Sequence, residues 1–278
     1  MLIAQITDTH VIEEGLLLFG RIDTNTMLES AVRAILDHRP AFDAVLVTGD
    51  LTNDGTPAQI EAFLRRLSPL SMPVHVIPGN HDDREALRAA LGGNHLPLNE
   101  RLCYAADIGR VRLIALDSLN QGRHDGHLGQ EQLDWLDRTL AEEPDRPTLV
   151  MMHHPPFPSG IRMMDRSPLI DADALAQVIV RHPQVERLLC GHLHRPTQRR
   201  FAGTIAMTAP SVAHQVSLDL DPDGALHWVK EPPAMLIHRF DAQGGGIISH
   251  QAYIGDHGAH YPFGGPNLSQ AEAAHLAD

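Results

Sequence analysis

Short apolar runs alternate with amphipathic segments through most of this 278-residue chain. Each apolar run has the length of one buried strand, and each amphipathic segment places its apolar side chains at helical spacing. Strands that alternate with helices predict an α/β layered sheet. The six predicted strands are residues 2–7, 44–48, 74–77, 111–116, 148–152 and 187–190.

Helical segments lie between the predicted strands. The clearest begins at Thr56, which is placed as the N-cap, with Pro57 at the first helical position and Gln59 as the capping-box partner. Another segment covers residues 171–183 and ends at Pro183. Three predicted apolar faces are Ile60, Phe63, Leu64 and Leu67; Ala31, Ile35 and Leu36; and Leu133, Leu136 and Leu140.

The helical period disappears after about residue 200. Residues 216–229 have the pattern of a hairpin, with Asp223 and Gly224 as its turn signal. The final stretch is rich in Gly and Pro, as in "QGGG" and "YPFGGPN", and is expected to form loops and an arm. We therefore predict a catalytic domain over residues 1–200 and a C-terminal β appendage over residues 201–278, which acts as a cap or as a contact surface.

The composition limits the classes of partner and compartment. The formal charge of −13 argues against broad nucleic-acid binding, because affinity for phosphate depends on clustered Lys and Arg. No apolar run approaches the roughly 20 residues that span a membrane, and the first residues lack the pattern of a signal peptide. The two cysteines, Cys103 and Cys190, cannot build a disulfide framework. We predict a cytoplasmic protein that binds neither nucleic acid nor membrane.

Five of the predicted strands are followed by side chains that bind metals or carry protons. Asp8 and His10 close the first strand, two residues apart and therefore on the same face of an extended chain. The full set is Asp8, His10, Asp50, Asn80, His81, His153, His154, His192 and His194. Ligands bind outside the carboxyl ends of strands in open α/β sheets, so we expect these side chains to converge.

The types of donor favour a pair of metal ions. Asp, Asn and His without a thiolate suit iron, zinc, manganese or cobalt better than they suit a structural zinc of the Cys type. Seven ligands exceed the need of one metal ion and suffice for two ions if one carboxylate bridges them. Each motif alone has a simpler explanation; Gly-Asn-His-Asp, for example, is also a turn sequence. Metal binding is favoured because all five motifs follow predicted strands in one chain.

In order and in strand context, this set resembles the motifs of the calcineurin-like metallophosphoesterases. The matching motifs are Asp8-x-His10, Gly49-Asp50, Gly79-Asn80-His81-Asp82, His153 and Gly191-His192-x-His194. Finer features, "FGRIDTN", "PGNHDD", "MHHPPFP" and "APSVAHQV", resemble the bacterial glycerophosphodiesterases and class III cyclic nucleotide phosphodiesterases. The resemblance implies a four-layer α/β/β/α sandwich with two metal ions at the strand ends, to which the C-terminal hairpin would add a small cap.

The resemblance also implies which residues would hold each metal ion. By the family's pattern the ligands of one ion would be Asp8, His10, Asp50 and His194. The ligands of the other would be Asp50, Asn80, His153 and His192, so Asp50 would bridge. Family members place the histidine ligand two residues before a proline, which here selects His153 over His154. His154 would then support the site or pack beside it.

The chemistry implied is in-line attack on phosphorus by a metal-bound hydroxide. Two metal ions lower the pKa of water and clamp the phosphate oxygens. His81 follows a ligand directly and could donate a proton to the leaving alkoxide or hydrogen-bond to the transition state. The predicted catalytic residues are therefore Asp50, Asn80 and His81. Asp82 and Asp83 are better explained as N-caps of the next helix.

Substrate contacts are predicted from two further segments. Arg21 could meet a phosphate oxygen and Asp23 a sugar or glycerol hydroxyl, although surface solvation explains both equally well. His214 is expected to contact the phosphate, because the resembling branch has a histidine in a matching motif. The alternative for His214 is a solvent-exposed hairpin histidine.

The leading hypothesis is a dinuclear metal-dependent phosphodiesterase that acts on glycerophosphodiesters or 3',5'-cyclic nucleotides. A broad-specificity phosphomonoesterase is the alternative within enzymes. A non-catalytic metal-binding scaffold is the alternative from another class, although the presence of Asp50, Asn80 and His81 weighs against it. We further predict a homo-oligomer, because the β appendage would suit a dimer face and the resembling branch is often oligomeric.

Overall fold

The computed structural model describes residues 1–92, 101–241 and 246–258. Its strands are β1 Leu2–Ile6, β2 Ala44–Thr48, β3 Val74–Ile77, β4 Tyr104–Ile108, β5 Val111–Ala115, β6 Thr148–Met151, β7 Val185–Cys190, β8 Thr197–Phe201, β9 Thr204–Thr208, β10 Gln215–Val216, β11 Trp228–Val229, β12 Ala234–Phe240 and β13 Ile247–Tyr253. Its helices are α1 Thr24–Asp37, α2 Pro57–Leu67, α3 Arg84–Ala90, α4 Gln130–Glu142 and α5 Ala172–Ile179, with a 3-10 turn at Met164–Arg166. None of the described helices is both long and apolar enough to cross a membrane.

Two large sheets form the centre of the molecule. The first has the order β13-β12-β1-β2-β3, and within it β1, β2 and β3 run parallel. The second has the order β4-β5-β6-β7-β9-β8, and within it β5, β6, β7 and β9 run parallel. Because parallel neighbours share one direction, their carboxyl ends lie at the same edge of each sheet. The loops that carry the predicted ligands leave from these edges.

Alternate side chains of each strand enter different cores, and this alternation produces four layers. In β2, Leu46 faces the space between the sheets, whereas Val47 packs against α1 and α2. In β6, Leu149 faces that same space, whereas Val150 packs against α4 and α5. The layers therefore run helix, sheet, sheet, helix, and the predicted α/β/β/α sandwich is confirmed.

The helix starts follow the predicted capping chemistry in one case and correct it in another. Thr56 accepts the backbone N–H of Gln59 at 3.3 Å, and Pro57 occupies the first turn of α2 as predicted. The predicted capping box is wrong in its second bond, because the Gln59 amide oxygen accepts the backbone N–H of Asp54 at 2.8 Å instead of that of Thr56. At α3 the cap is Asp83 alone, whose carboxylate accepts the N–H of Ala86 at 2.8 Å. The preceding residue, Asp82, binds the loop after β2 instead of capping the helix.

The apolar faces are confirmed except at one position. Leu133 and Leu136 of α4 are buried, as is Ile35 of α1. Leu36 is 36% exposed, although it was grouped with Ile35 on the predicted face. Successive helical residues are about 100° apart around the axis, so Leu36 turns away from the core that Ile35 enters.

The C-terminal segment differs most from the expectation. The predicted hairpin is reduced to β10 and β11, in which only Gln215–Val216 pairs with Trp228–Val229. The final stretch expected to form loops contains β13, and the segment before it forms β12, a strand that was not predicted and that pairs antiparallel with β1 of the first sheet. Most of β12 is buried on both faces, so it lacks the polar alternation that marks an exposed hairpin. Residues 242–245 and 259–278 lie outside the described residues, and the division of the chain at residue 200 stays a prediction.

A buried network of hydrogen-bonded polar side chains crosses the space between the two sheets. His238 of β12 has its Nδ1 2.8 Å from the Ser249 hydroxyl and its Nε2 3.0 Å from the Gln5 amide oxygen. The Gln5 amide nitrogen donates to the Thr48 hydroxyl and to the Cys190 carbonyl, both at 3.0 Å. Burial lowers the pKa of His238 to about 3, so its ring is neutral at neutral pH.

We expect His238 to reduce the stability of the fold in mild acid. An unfolded histidine takes up its proton near pH 6.5, whereas burial delays this to about pH 3 in the folded chain, so the unfolded state gains protons first as pH falls. Between pH 7.5 and 5.5 this difference removes about 1.4 kcal/mol from the free energy of unfolding. Chemical unfolding should show a smaller loss for His238→Gln than for wild type. His250→Gln, at an exposed position of β13, should behave as wild type, and equal losses in all three proteins would contradict this role.

Candidate metal centre

Left-handed backbone conformations are concentrated on the predicted ligands. Five of the seven described non-glycine residues with positive φ are Asp8, His10, Asp50, His192 and His194, with φ from 43° to 70°. Residues with a Cβ rarely adopt this conformation, and it persists only where surrounding contacts hold it. Such strain clusters at functional sites, and here it falls on predicted metal ligands.

Two glycines allow the ligand loops to approach one another. A Cβ on Gly79 would lie 2.2 Å from Asp50 Oδ1, and a Cβ on Gly191 would lie 2.2 Å from Thr7 Oγ1 and 3.0 Å from Asp8 Oδ2. Any larger residue would therefore displace the carboxylates. The glycines of the sequence motifs are explained by this close contact.

One group of donors joins the loops after β1, β2 and β7. The ligand atoms of Asp8, His10, Asp50 and His194 lie within 4.8 Å of one another, and all four residues are buried. Asp50 Oδ2 is 3.7 Å from His10 Nε2, and the Nε2 atoms of His10 and His194 are 3.1 Å apart. His194 Nδ1 lies 2.8 Å from the His214 carbonyl. Since a carbonyl only accepts, Nδ1 carries the hydrogen, and Nε2 of the neutral ring keeps a lone pair for an ion.

A second group lies on the other side of Asp50. Asp50 Oδ1 is 3.4 Å from His153 Nε2, which is also 3.2 Å from Asn80 Oδ1. His153 Nδ1 lies 2.8 Å from the Thr48 carbonyl, which again directs Nε2 to the site. His192 has a ring nitrogen within 4.8 Å of one of His153. Asp50 therefore offers Oδ2 to the first group and Oδ1 to the second.

His154 lies close enough to join the second group, but its ring nitrogens are already engaged. Its Nδ1 is 2.9 Å from the Ser118 hydroxyl, and its Nε2 is 3.1 Å from the His124 carbonyl, to which it must donate. Gly126 packs on the same ring, where an added Cβ would lie 2.5 Å from His154 Cγ. His154 thus anchors the loop between β5 and α4, which favours its neighbour His153 as the ligand.

The site concentrates buried carboxylates with no fixed cation. Among the described ion pairs, Asp8 and Asp50 contact histidines and no Arg or Lys. Burial, with Asp50 nearby, raises the pKa of Asp8 to about 7 against the opposing effect of His153. Burial also acts to raise the pKa of Asp50, but His153 and His81 outweigh it and hold that pKa well below its usual range. For His153, burial lowers the pKa but Asp50 outweighs it and raises the pKa to about 9. Bound cations would compensate this negative charge.

Unpaired buried nitrogens also suit a metal centre. His10 Nδ1, His192 Nε2 and His214 Nδ1 are buried and have no hydrogen-bond partner among the described residues. Buried polar atoms in native proteins nearly always have one. Burial lowers the pKa of His192 to about 3 and that of His194 to about 4, so both rings are neutral and able to bind a metal at neutral pH. The two groups of donors fit two ions of the borderline type that share Asp50.

His81 lies beside the donors and is oriented by two hydrogen bonds. Its backbone N–H donates to Asp50 Oδ1 at 2.9 Å, and its Nδ1 is 2.8 Å from the Asn53 carbonyl. Its ring centroid is 4.8 Å from that of His10. Burial acts to lower the pKa of His81, but Asp50 and the Asn53 carbonyl outweigh it and raise the pKa. Because Nδ1 is engaged, Nε2 is the nitrogen left for a substrate.

Asp82 joins two ligand loops, which corrects its expected role as a helix cap. Its buried carboxylate accepts the backbone N–H groups of Leu51 at 3.0 Å, Thr52 at 2.9 Å and Gly79 at 2.8 Å. The Thr52 hydroxyl donates to it as well, at 2.8 Å. Burial raises the pKa of Asp82 to about 6. The carboxylate therefore holds the loop of Asp50 against the loop after β3.

The two predicted substrate contacts outside the strand ends have different surroundings. His214 is buried, and its ring centroid is 4.6 Å from that of His194, so the fold brings it to the donors. Arg21 is exposed and lines a surface cavity together with Asp23 and Lys230. None of the predicted ligands lines that cavity. Contact between Arg21 and a substrate stays a prediction.

Residues that the strand-end pattern does not mark also border the site. His124 Nδ1 lies 3.4 Å from Asn80 Nδ2. The rings of Phe19 and Trp228 lie 5.7 Å and 6.3 Å from that of His214. Phe19 and His124 lie in long connections and Trp228 lies in the short strand β11, so their proximity depends on the tertiary fold. The sequence signals for Phe19 are the apolar run "LLLF" and its position at the start of "FGRIDTN".

Comparisons with known proteins agree with this arrangement. Residues 1–196 match the sequence model of the calcineurin-like phosphoesterase family. The chain is 35% identical over 265 residues to a probable glycerophosphodiester phosphodiesterase of Arcobacter nitrofigilis, covering 95% of this chain and 97% of that protein. It is 32% identical over 213 residues to the 3',5'-cyclic adenosine monophosphate phosphodiesterase of Escherichia coli K12, covering 77% of this chain and 76% of that protein.

Solved structures show the same fold at lower identity. A dimetal phosphatase from Danio rerio has a TM-score of 0.60 at 17% identity, covering 92% of this chain and 99% of that one. A purple acid phosphatase from yellow lupin seeds has a TM-score of 0.61 at 16% identity, covering 86% of this chain and 49% of that one. The sequence match over residues 1–196 and the identity to relatives of similar length establish that this chain belongs to the calcineurin-like phosphoesterase family.

Proposed function

We propose that this chain is a dinuclear metal-dependent phosphodiesterase that hydrolyses small diesters, such as glycerophosphodiesters or 3',5'-cyclic nucleotides. The observation that carries the proposal is the position of Asp50, whose two oxygens face two separate groups of histidines at 3.7 Å and 3.4 Å. One shared carboxylate suits two ions about 3.5–4 Å apart, the spacing of two-metal phosphoesterase sites. The names of the relatives, a glycerophosphodiester and a cyclic AMP phosphodiesterase, support diesters as substrates.

The proposed ligands divide into two sets that share one residue. The first set is Asp8, His10, Asp50 and His194, and the second is Asp50, Asn80, His153 and His192. Asn80 would contribute a neutral oxygen, which would leave more positive charge on the second ion for the phosphate. Iron, manganese, zinc and cobalt all accept such a set, and availability decides among them.

The chain's own residues position and protonate the substrate. When bound, two metal ions would lower the pKa of water and neutralise charge that develops on the phosphate oxygens. His81 is held through Nδ1 by the Asn53 carbonyl, so its Nε2–H would donate to the oxygen of the leaving alcohol. His214, whose ring centroid is 4.6 Å from that of His194, would contact a phosphate oxygen. Backbone carbonyls hold the rings of His153 and His194, so these ligands need little reorganisation during the reaction.

Diesters are favoured over monoesters by the charges around the site. A diester carries one negative charge fewer than a monoester dianion and needs fewer cationic contacts. Bidentate arginines would suit the dianion. Three arginines close in sequence to site residues instead contact carboxylates of the chain itself: Arg84 at the start of α3 with Asp117, Arg123 with Asp125 and Arg162 with Asp223.

We therefore expect a higher kcat/KM for a diester than for its matched monoester, by about tenfold or more. The measurement compares bis(p-nitrophenyl) phosphate with p-nitrophenyl phosphate, on metal-loaded and on chelator-treated protein. Chelation should remove both activities. Monoester hydrolysis as fast as diester hydrolysis would replace this proposal with a phosphomonoesterase. Two bound metals without turnover of either ester would indicate a scaffold.

The proposal also covers the compartment and the partners of the protein. Both cysteines are free and buried, which suits a reducing cytoplasm, and burial raises the pKa of Cys103 to about 12. The net charge of −13 weighs against a nucleic-acid partner. A homo-oligomer remains our expectation, and sedimentation of the purified chain tests it.

A further inference from the structure

The loop before α1 exposes apolar side chains beside the proposed site. Leu16, Leu17 and Phe19 are 57%, 47% and 58% exposed. Phe19 also has a φ of 53°, a strained value for an aromatic residue. Of these three side chains, only Phe19 combines exposure with backbone strain, and strain of this kind clusters at ligand-binding sites.

Phe19 forms a defined surface with Trp228, which we call the aromatic platform. The two rings stack with centroids 5.8 Å apart and an angle of 18° between their planes. Trp228 packs against the small apolar cluster around Leu18. Lys230 Nζ donates to the Arg21 carbonyl at 3.0 Å and ties the two segments together. Contacts within the chain itself therefore hold the two rings in place.

The ring of His214 connects the aromatic platform to the proposed metal ligands. The ring of His214 is 4.6 Å from that of His194 and 5.4 Å from that of His10. On its other side it meets Phe19 edge-on at 5.7 Å and Trp228 at 6.3 Å. A phosphate held at the donors would carry one of its ester groups towards these aromatic rings.

Two polar side chains at the start of α1, Asp23 and Asn25, are engaged in local structure. The Asp23 carboxylate accepts the backbone N–H of Thr26 at 3.0 Å and its hydroxyl at 2.7 Å, and so caps α1. The Asn25 amide binds the backbone of Ile12 through both its oxygen and its nitrogen. These groups are poorly placed to read the free hydroxyls of a glycerol. Arg21 is exposed but lines a separate surface cavity, and the exposed side chain that contacts the ring of His214 is Phe19.

We propose that Phe19 and Trp228 stack against a planar ring of the substrate, so that the chain prefers phosphodiesters that carry a nucleobase to those that carry only glycerol or another alkyl alcohol. This inference rests on the proposed phosphodiesterase function and narrows its substrate class. Stacking tolerates any base because every base has a flat π-face. The platform would therefore select a nucleobase without selecting one base in particular.

A binding experiment tests the platform without turnover. The chain has two tryptophans, so Trp135→Phe leaves Trp228 as the only source of tryptophan fluorescence. In this metal-loaded protein AMP should quench the fluorescence of Trp228, and glycerol 3-phosphate should not. Adding Phe19→Ala should weaken AMP binding by about tenfold, the typical effect of losing one stacked ring. Quenching of equal size by both ligands would contradict stacking.

A kinetic comparison tests substrate preference. For Phe19→Ala we expect kcat/KM to fall by about tenfold for 3',5'-cyclic AMP and by less than about twofold for glycerophosphoethanolamine. Phe19→Tyr should restore the nucleotide rate, and Phe19→Leu should not, because leucine keeps the apolar area but lacks the ring. Leu17→Ala, exposed on the same loop, should leave both rates unchanged. Phe19 is more than half exposed, so these variants are expected to fold.

The outcomes separate this inference from the proposed function. Equal losses for both diesters in Phe19→Ala would overturn the platform while leaving the phosphodiesterase intact. A Phe19→Leu variant with the wild-type nucleotide rate would show that apolar contact area, rather than stacking on an aromatic ring, determines the preference for a nucleotide. Failure of metal-loaded wild type to hydrolyse any diester would overturn the proposed function. The fluorescence experiment would still report whether the platform binds a base.

Discussion

Asp50→Ala should abolish diester hydrolysis and remove at least one of the two metal ions from the folded protein. Asp50 presents Oδ2 to His10 at 3.7 Å and Oδ1 to His153 at 3.4 Å, so its loss weakens both proposed metal sites at once. We expect turnover below about one thousandth of the wild-type rate, a loss of about 4 kcal/mol in transition-state stabilisation. Steady-state kinetics and elemental analysis of the purified variant measure the two effects.

A control variant on the same loop distinguishes the loss of a carboxylate that bridges two metal ions from a general disturbance of the loop. Asp54→Ala removes an exposed carboxylate that follows β2 and contacts Asn53 and Gln59. It should keep two metal equivalents and the wild-type turnover. Asp50→Asn, which keeps the side-chain volume but loses the charge, should resemble Asp50→Ala. Two tightly held ions in folded Asp50→Ala would show that Asp50 does not bridge them.

His81→Ala should keep both metal ions and slow turnover by roughly 100-fold or more, the usual contribution of a general acid or of an oxyanion contact. The His81 side chain is held by the Asn53 carbonyl, and only its backbone N–H contacts Asp50. Removal of the ring therefore leaves the Asp50 contact in place. Metal analysis together with kcat on an alkyl diester checks both parts of the expectation.

The leaving group shows which role His81 performs. An alkoxide needs a proton to depart, whereas a p-nitrophenolate does not, so a general acid matters only for the alkyl diester. His81→Ala should then be far slower on the alkyl diester and close to wild type on bis(p-nitrophenyl) phosphate. Equal losses on the two diesters would assign His81 to a transition-state hydrogen bond. Loss of a metal ion would place His81 among the ligands and contradict both roles.

Much of the catalytic half could be predicted because it depends on local patterns. Runs such as residues 44–48 alternate between two cores, so their burial and β-branched content mark strands without knowledge of their partners. The chain must turn where such a strand ends, at the edge of the sheet that collects the carboxyl ends of the strands. The residues placed at that turn, such as Asp50 after Gly49, are therefore read directly from sequence position.

The C-terminal half could not be predicted in the same way. Strand β12 pairs with β1, more than 230 residues earlier in the chain, with Leu2 opposite Arg239. Such distant pairing leaves no local signal, and the β12 sequence AMLIHRF has one β-branched residue where β2 has three. The turn signal at Asp223 and Gly224 was misleading for a related reason. A local turn preference does not decide how far two strands pair on either side of it.

The sequence by itself determined which chemistry this chain can perform: carboxylate, amide and imidazole donors follow parallel strands, and a single edge of each sheet collects them. Tertiary structure decided which of these donors are available. His154 lies as close to His192 as a ligand would, yet Ser118 and His124, from a loop about 30 residues away, occupy both of its nitrogens. Asp82 is placed like a helix cap in the sequence but binds the loop of Asp50. The physical reason is that a side chain's hydrogen-bond partners set which of its atoms remain free, and those partners come from distant segments that only the folded chain brings together.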